Sequence, residues 1–288
     1  MSFSHAKIRS IVNENSPLIL IRGGGDLASG VALRLHRVGL KILITEQPQP
    51  LAVRRMVSFA EAVYQGKFSV EEVTARLVNG LNQVSAVLDC DEIPVFMDPG
   101  CEKVLSPCSS LAPPLALIDA RMTKRPPDFG IDAALLVIGL GPGFVAGRNC
   151  HAAIETNRGH YLGRVIWDGS PEEDTGIPGV MARYQNDRVL RAPADGFIQT
   201  KVEIGERVQK GQLIAEVEGQ KILAPIDGIL RGLLRDGLAV QEGLKVGDID
   251  PRNDPQFVTM VSEKSLAIGG GVLEALLTRS EIRDRLWN

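Results

Sequence analysis

The chain has 288 residues, which is long for a single hydrophobic core and sufficient for two or three domains. The net charge is −3 and aromatic residues make up 5% of the sequence, so neither a basic field nor base-stacking rings predict nucleic-acid binding. No apolar run approaches the roughly 18 residues of a membrane span, and residues 1–17 lack the apolar core of a secretory signal. We therefore expect a cytoplasmic protein that binds neither nucleic acid nor membrane.

The first predicted elements form a βαβ unit. Residues 18–21 are an apolar run typical of a buried parallel strand, and residues 41–44 are a second such run. Between them, residues 30–38 show the apolar face of a helix, and Gly39 is a plausible stop.

More elements of both kinds follow along the chain. S-x-x-E capping boxes at Ser58 and Ser69 predict two helix starts. Apolar runs predict further strands at 84–88, 115–118 and 134–138. Strands that alternate with helices favour a parallel sheet with helices on its faces, so the predicted fold class is α/β with a Rossmann-like region.

The sequence repeats itself after residue 185. Ala192-Pro193-x-Asp195-Gly196 recurs 32 residues later as Ala224-Pro225-x-Asp227-Gly228, and other glycines and glutamines recur at the same offset. A twofold repeat of short strands predicts a small pseudo-twofold β domain of the barrel-sandwich type, similar to lipoyl and biotinyl domains.

These patterns predict three regions. The Rossmann-like α/β region covers 1–185, with a subdivision near 100–130 left open, and the β domain covers 186–250. Residues 251–288 are predicted to be a helical segment, interrupted by Gly269-Gly270-Gly271, that packs back onto the first region.

A glycine turn directly follows the first strand. Gly23-x-Gly25-x-x-Ala28 fits the G-x-G-x-x-G/A pattern, in which the backbone approaches a phosphate at a helix N-terminus. Glu46 ends the second strand, where a carboxylate of a dinucleotide-binding protein meets a ribose hydroxyl. Asp26 would repel an anion unless it caps the helix or binds a metal; Arg54 and Arg55 are candidate compensating charges. The predicted cofactor-binding residues are Gly23, Gly24, Gly25, Asp26, Leu27, Ala28 and Glu46. A turn that merely closes a tight corner is the alternative.

Two further loops follow predicted strands. Gly139, Gly141 and Gly143 belong either to a second backbone anion nest or to a rigid turn. Arg121 and Lys124 leave the end of another strand, where ligands of open α/β sheets bind, and suit a phosphate or an anionic cofactor. An ion-paired loop is the alternative for these two cations.

The candidate catalytic residues are Cys101, Glu155 and His160. Cys101 lies in a turn and is a candidate nucleophile or carrier of sulfur or selenium, with no histidine nearby in sequence. Glu155 and His160 belong to a dense run of polar side chains at 154–160. No cysteine or histidine spacing predicts a metal site, and the four cysteines are expected to be free thiols.

The chain resembles the YqeB family in several segments taken together. They are residues 21–30, 47–55, 139–144 and 154–160, and the resemblance covers nearly the whole chain. It implies an accessory role in the maturation of selenium-dependent molybdenum hydroxylases. A nucleotide or the molybdenum cofactor, with or without selenium, would bind at the glycine turns, and the hydroxylase or its cofactor-assembly proteins would be partners. Asn149 departs from the aspartate expected in that family.

Other functions remain open at this stage, as does the question of whether the chain is an enzyme. An NAD(P)-dependent oxidoreductase would use the same turn and Glu46, although no Tyr-x-x-x-Lys supplies a hydride-transfer acid. A binding or carrier module would use the β domain, whose Lys221 lies near a hairpin tip but lacks the flanks of a lipoyl or biotinyl lysine. A homo-oligomer is compatible with each function.

Overall fold

The computed structural model describes residues 17–173 and 188–287. Nine strands form one large sheet: β1 Leu18–Arg22, β2 Lys41–Glu46, β3 Lys67–Val70, β4 Val73–Val78, β5 Ile93–Met97, β6 Ala116–Asp119, β7 Leu136–Leu140, β8 Ala152–Ile154 and β9 Val165–Ile166. Six helices are α1 Asp26–Arg37, α2 Ala62–Gln65, α3 Val84–Asp89, α4 Gln256–Thr259, α5 Glu263–Thr278 and α6 Ser280–Trp287. Within these ranges, no helix is long and apolar enough to span a membrane.

The large sheet has the strand order β3-β4-β5-β2-β1-β6-β7-β8-β9. In this spatial order, all neighbours from β4 across to β8 pair in parallel, β1 and β2 included. The outermost strands β3 and β9 pair antiparallel with their neighbours. The chain passes from β1 to β2 on one side of β1 and later to β6 on its other side. The carboxyl ends of β1, β2 and β6 therefore flank a crevice of the kind in which open α/β sheets bind ligands.

Alternating side chains of the central strands enter two cores. Ile19 and Ile21 of β1 belong to the core under α1 and α5, whereas Leu20 belongs to the core on the opposite face. A strand buried on both faces reads as a continuous apolar run, which is why residues 18–21 and 41–44 were predictable. The α/β class is confirmed as a mixed fold with a large, mainly parallel sheet.

Helix α5 packs along α1 and closes one face of the sheet. A Cβ on Gly30 would lie 2.4 Å from Cβ of Ser265, and a Cβ on Gly269 would lie 3.0 Å from the carbonyl oxygen of Gly30. The three glycines at 269–271 were predicted to interrupt the helix, but they lie within it, and Gly269 and Gly271 allow its close approach to neighbouring backbone. That expectation of a break is therefore wrong.

Several local predictions differ from the structure. Residues 84–88 form helix α3 and not a strand, while strand β5 follows them. Ser69 lies in the β3–β4 hairpin, where its hydroxyl pairs with that of Thr74, and Ser58 donates to the carbonyl of Arg54 instead of capping a helix. Neither serine side chain therefore caps the N-terminus of a helix; each forms a hydrogen bond elsewhere.

The remaining strands form two four-stranded antiparallel sheets, which we call the β unit. They are β10 Val189–Arg191, β11 Gly196–Thr200, β12 Arg207–Val208, β13 Leu213–Val217, β14 Gln220–Leu223, β15 Gly228–Leu233, β16 Ala239–Val240 and β17 Lys245–Asp250. The sheet orders are β10-β17-β15-β12 and β14-β13-β11-β16. The 32-residue offset carries β11, β12 and β13 onto β15, β16 and β17, so the sequence repeat relates one sheet to the other. The predicted boundary near 185 lies outside the described residues, and the division into domains stays a prediction.

Candidate functional site

A cleft of about 360 Å³ lies at the carboxyl ends of β1, β2 and β6. Its lining combines polar side chains with an apolar stretch, Pro50 to Ala52, which we call the apolar wall. The lining residues are Arg22, Gly23, Gly25, Thr45, Glu46, Gln47, Pro50, Leu51, Ala52, Pro99, Ala120, Arg121 and Thr123. The cleft therefore contains four of the residues predicted for a cofactor, which are Gly23, Gly25, Glu46 and Arg121.

The glycine turn and Glu46 are bonded to each other. The amide of Gly24 donates to Oε2 of Glu46 at 2.7 Å, and the amide of Gln47 donates to Oε1 at 2.7 Å. Burial raises the pKa of Glu46, and these two backbone bonds oppose the shift. The Gly24 amide, which would meet a phosphate in a dinucleotide-binding loop, is thus already occupied by a carboxylate.

A segment at residues 50–61, which we call the strap, covers the glycine turn. The amide of Ala60 donates to the carbonyl of Gly24 at 2.9 Å. A Cβ on Gly24 would lie 2.8 Å from the amide nitrogen of Ala60, so this glycine is needed for the close approach of the strap. Gly25 has open space around its Cβ position and lines the cleft.

Asp26 begins helix α1 and faces an arginine of the strap. Nη1 of Arg54 lies 3.8 Å from Oδ2 of Asp26, and Nη2 of Arg54 donates to the carbonyls of Phe257 and Met260. Arg54 therefore gives the acidic residue of the turn a partner within the protein. Leu27 and Ala28 continue the helix, and Ala28 is buried in the core.

Four charged residues at the ends of β1 and β6 form one network. Arg22 is buried and donates to Asp128 and to the carbonyl of Pro99. Arg121 donates to buried Asp119 from Nε at 3.0 Å and to Asp128 from Nη2 at 3.0 Å. The two arginines hold the pKa of Asp128 well below its usual range. Two cations are matched by two carboxylates, so Arg121 is an ion-paired residue and does not bring net positive charge to the cleft.

The second glycine turn is filled by the protein itself. A Cβ on Gly139 would overlap the ring of Phe144, and one on Gly141 would lie 2.5 Å from Oγ1 of Thr156. Gly143 has φ +101° and approaches the carbonyl of Arg125. The structure favours the rigid-turn alternative for Gly139, Gly141 and Gly143.

Asn149 and Lys124 lie on loops beside this turn. Asn149 accepts from the amide of Val145 and donates to the carbonyl of Gly143, so the amide side chain at this position locks the turn. Lys124 is exposed and does not line the cleft.

Cys101 is buried behind the cleft floor. Its Sγ lies 3.1 Å from Oγ1 of Thr45, and burial raises its pKa to about 11. A thiol with this pKa is protonated at neutral pH, which argues against a nucleophile or a sulfur or selenium carrier.

Glu155 and His160 lie apart from the cleft lining. Glu155 is buried and accepts from the amides of Asn157 and Glu172, so it organises the loops around it. His160 is exposed. Among residues 17–173 and 188–287, no three His, Cys, Asp or Glu side chains are grouped as metal ligands.

Sequence reasoning singled out Asp119 only as the aspartate beside Arg121 and Lys124, and it missed Arg22, Thr45 and Asp128 as parts of one site. Arg22 and Asp119 each end an apolar strand, which is the signal that places them at the same sheet edge once the strand order is known. Asp128 carries no such signal, because the loop that returns it to Arg22 shows no periodic pattern.

No family model matches the chain. The protein "Uncharacterized protein YqeB" of Escherichia coli (strain K12) is 46% identical over 260 residues, which are 90% of this chain and 47% of the relative. Over this stretch the chain and the E. coli protein are homologous. The resemblance to the YqeB family is confirmed to this extent, and the chain spans about half the length of the curated relative it matches.

The likeness of this chain to solved structures is weaker. An aspartoacylase family protein from Mesorhizobium loti is 14% identical, with 82% of this chain and 85% of its own covered and a TM-score of 0.27. The ectoine utilization protein EutE from Ruegeria pomeroyi is 12% identical, with 81% and 86% covered and a TM-score of 0.23. A succinylglutamate desuccinylase/aspartoacylase from Rhodobacter sphaeroides is 23% identical over 30% of this chain and 29% of its own, with a TM-score of 0.21. Scores of this size carry no argument for transferring their activity.

The predicted role in molybdenum hydroxylase maturation is not supported by these comparisons. The solved structures are named as desuccinylases, aspartoacylases and an ectoine utilization protein. That role is wrong, and so are the Rossmann nucleotide-binding fold and the NAD(P) alternative that accompanied it. The physical reason lies in the cleft, where Glu46 occupies the Gly24 amide and carboxylates match both arginines.

Proposed function

We propose that the cleft binds a small polyhydroxylated molecule through the carboxylate of Glu46. The observation that carries the proposal is the way this carboxylate is held: each oxygen accepts one backbone amide, from Gly24 or from Gln47. A carboxylate has about four acceptor positions, so both oxygens keep capacity for a further donor. Two adjacent hydroxyl groups match two fixed carboxylate oxygens.

The charge balance favours a neutral ligand over a phosphate. Arg22 and Arg121 are neutralised by Asp119 and Asp128, and Glu46 adds a negative charge to the lining. A phosphate would meet the Glu46 carboxylate without an unmatched cation to offset the repulsion. A hydroxyl group, in contrast, donates to a carboxylate in a charge-assisted bond.

The size and the apolar part of the lining suit a compact ring. Pro50, Leu51, Ala52 and Pro99 add apolar surface to the lining that also contains Glu46. A cleft of about 360 Å³ is at the small end of ligand pockets, which suits a monosaccharide-sized molecule. The C–H groups of such a ring would lie on the apolar wall while its hydroxyls face Glu46.

The proposal extends to the architecture. We take the order β5-β2-β1-β6-β7-β8 as that of a doubly wound sheet with its ligand at the switch between β1 and β6. We take the β unit as a barrel-sandwich, because the 32-residue repeat relates each strand of one sheet to a strand of the other sheet.

Calorimetric titration with D-ribose, a compact vicinal diol, tests the proposal. We expect weak binding, with a Kd on the order of millimolar, because the probe offers few atoms for contact. Glu46→Gln removes the charge that strengthens both hydroxyl bonds and is expected to weaken ribose binding about tenfold or more.

Glu274→Gln is the matched control, since Glu274 is an exposed glutamate on α5. It should bind ribose as the unaltered chain does, and inorganic phosphate should not compete. Equal ribose affinity of the two glutamine variants, or binding of phosphate in preference to ribose, would contradict the proposed function.

A further inference from the structure

The strap lies between the cleft and the β unit and contacts both. On the cleft side, Pro50, Leu51 and Ala52 form the apolar wall. On the other side, Val53 and Tyr64, which follows the strap by three residues, pack against the core of the β unit. One short segment thus carries the apolar wall of the cleft and contacts the β unit.

Glycine permits the strap to approach strand β15 closely. A Cβ on Gly232 would lie 2.9 Å from both Cγ1 and the carbonyl oxygen of Val53. Beside it, Nε of Arg55 donates to the carbonyl of Leu233 at 3.1 Å. The strap backbone is therefore held against β15 by packing and by a hydrogen bond.

A second set of contacts leads from the β unit to the cleft wall itself. Nη2 of Arg235 lies 2.5 Å from Oε2 of buried Glu61, and its guanidinium lies 4.5 Å from the ring centroid of Tyr64. The hydroxyl of Tyr64 donates to the carbonyl of Pro50 at 3.0 Å. Arg235 thus fixes the ring whose hydroxyl holds the first residue of the wall.

The other end of the strap is bonded to the glycine turn. Ala60 donates to the carbonyl of Gly24, and the amide of the same Gly24 donates to Glu46. The strap is therefore held at both ends. Pro50 is held by the hydroxyl of Tyr64, and Ala60 is held by Gly24, which also binds Glu46.

We propose that Tyr64 and Arg235 are positioning residues through which the β unit sets the wall of the cleft. Neither residue lines the cleft. Tyr64 acts through its hydrogen bond to Pro50, and Arg235 acts through Glu61 and the ring of Tyr64. The consequence for ligand binding rests on the proposed function, whereas the consequence for the strap does not. The β unit is then part of the binding site's support and not a separate module.

Hydrogen exchange followed by mass spectrometry tests the proposal on the full chain without ligand. Tyr64→Phe keeps the ring on which Arg235 stacks and removes only the bond to Pro50. We expect amide exchange in residues 50–61 to rise about fivefold, the change that loss of one hydrogen bond of about 1 kcal/mol would give. Exchange in strands β10 and β17 should not change.

Arg235 variants separate positioning from general destabilisation. Arg235→Met leaves Glu61 buried without its cation and should increase exchange in the strap further, while Arg235→Lys keeps the charge and should restore most of the protection. Arg191→Met is the control, because Arg191 belongs to the same unit and donates to Gly243 within it. Unchanged strap exchange in Tyr64→Phe, or equal effects of Arg191→Met and Arg235→Met, would overturn the proposal.

If Arg235→Met fails to fold, Tyr64→Phe and Arg235→Lys still decide the outcome. The same Tyr64→Phe chain is then titrated with D-ribose, where we expect a Kd several-fold higher than that of the unaltered chain. Absence of ribose binding in the unaltered chain would contradict the proposed function alone, since the exchange result stands or falls without a ligand.

Discussion

At the scale of single residues, the cleft is defined by which polar groups are already satisfied. Glu46 holds the Gly24 amide, and the pairing of Arg22 and Arg121 with Asp119 and Asp128 leaves no unmatched positive charge among these four. The same glycine turn with a free amide and an unpaired arginine would be an anion site. Side-chain pairing, and not the glycine spacing, therefore decides the chemistry of the turn.

The state of Glu46 predicts a pH dependence of ribose binding. Burial raises the pKa of Glu46, so its carboxylate takes up a proton at a higher pH than an exposed glutamate does. Protonation removes the charge-assisted acceptor, and ribose affinity should therefore fall as the pH decreases through this raised pKa. Titrations from about pH 8 down to about pH 4 check this, since a free glutamate titrates near 4.3. A flat profile, or stronger binding in acid, would contradict it.

The four cysteines should separate into two reactive and two protected thiols. Cys90 and Cys108 are exposed, whereas Cys101 and Cys150 are buried and burial raises the pKa of each to about 11. We expect a thiol reagent such as dithionitrobenzoate to modify two thiols in the folded chain and all four after denaturation. Peptide mapping that finds Cys101 among the first to react would refute its buried, protonated state.

At the scale of elements, the sequence predicted those strands whose burial is uniform. Residues 18–21 and 41–44 are enclosed on both faces and form β1 and β2 as expected. The predicted strand at residues 84–88 was wrong, because a short apolar run fits a strand and a buried helical turn equally well. In the structure, Val84 and Val87 are buried while the residues between them face outward, which is a helical pattern.

The candidate site was predictable to a similar extent. The glycine turn and Glu46 follow strands that the sequence identifies, so their meeting at one sheet edge was predictable. The strap and Asp128 were not, because they reach the cleft through loops whose paths depend on tertiary contacts. The capping box at Ser58 pointed to a helix where the chain instead forms short 3-10 turns beside Gly24.

Two adjacent glycines of α5 give opposite predictions for the same substitution. A Cβ on Gly271 would lie 2.1 Å from the carbonyl oxygen of Gly163, whereas the Cβ position of Gly270 is open. Gly270→Ala should raise the free energy of unfolding by about 0.5–1 kcal/mol through helix propensity. Gly271→Ala should lower it by about 1–3 kcal/mol through overpacking. Chemical denaturation measures both, and equal effects would refute the close packing at residue 271.

At the scale of the whole molecule, segments distant in sequence complete the first sheet. Helix α5 follows the β unit in sequence, and it packs on α1, which begins at the glycine turn. The β unit contacts the strap through Val53 and Tyr64. The cleft thus depends on the early strands for its floor and on the β unit for support of one wall.

A buried network of ion pairs stabilises the β unit around Asp248 of strand β17. Asp248 is fully buried and accepts from Arg188 and Arg231. Although burial opposes the shift, these cations and Lys245 hold the pKa of Asp248 below its usual value, so its stabilising contribution is present at neutral pH and is lost as the pH falls through that lowered pKa. Asp248→Asn should destabilise the chain by about 3–5 kcal/mol at neutral pH and by less in strong acid. A loss that is the same at both pH values, measured by denaturant unfolding, would contradict the ionised state.

We propose that a hydroxylated ligand binds at Glu46 beside the glycine turn. The most direct measurement is amide chemical-shift mapping of the isotope-labelled chain during titration with D-ribose. We expect the largest shifts at Gly24, Gly25 and Gln47, because the amides of Gly24 and Gln47 bond to the Glu46 carboxylate and Gly25 borders the cleft. Saturable shifts confined to another part of the chain, or no saturable shifts at all, would contradict it.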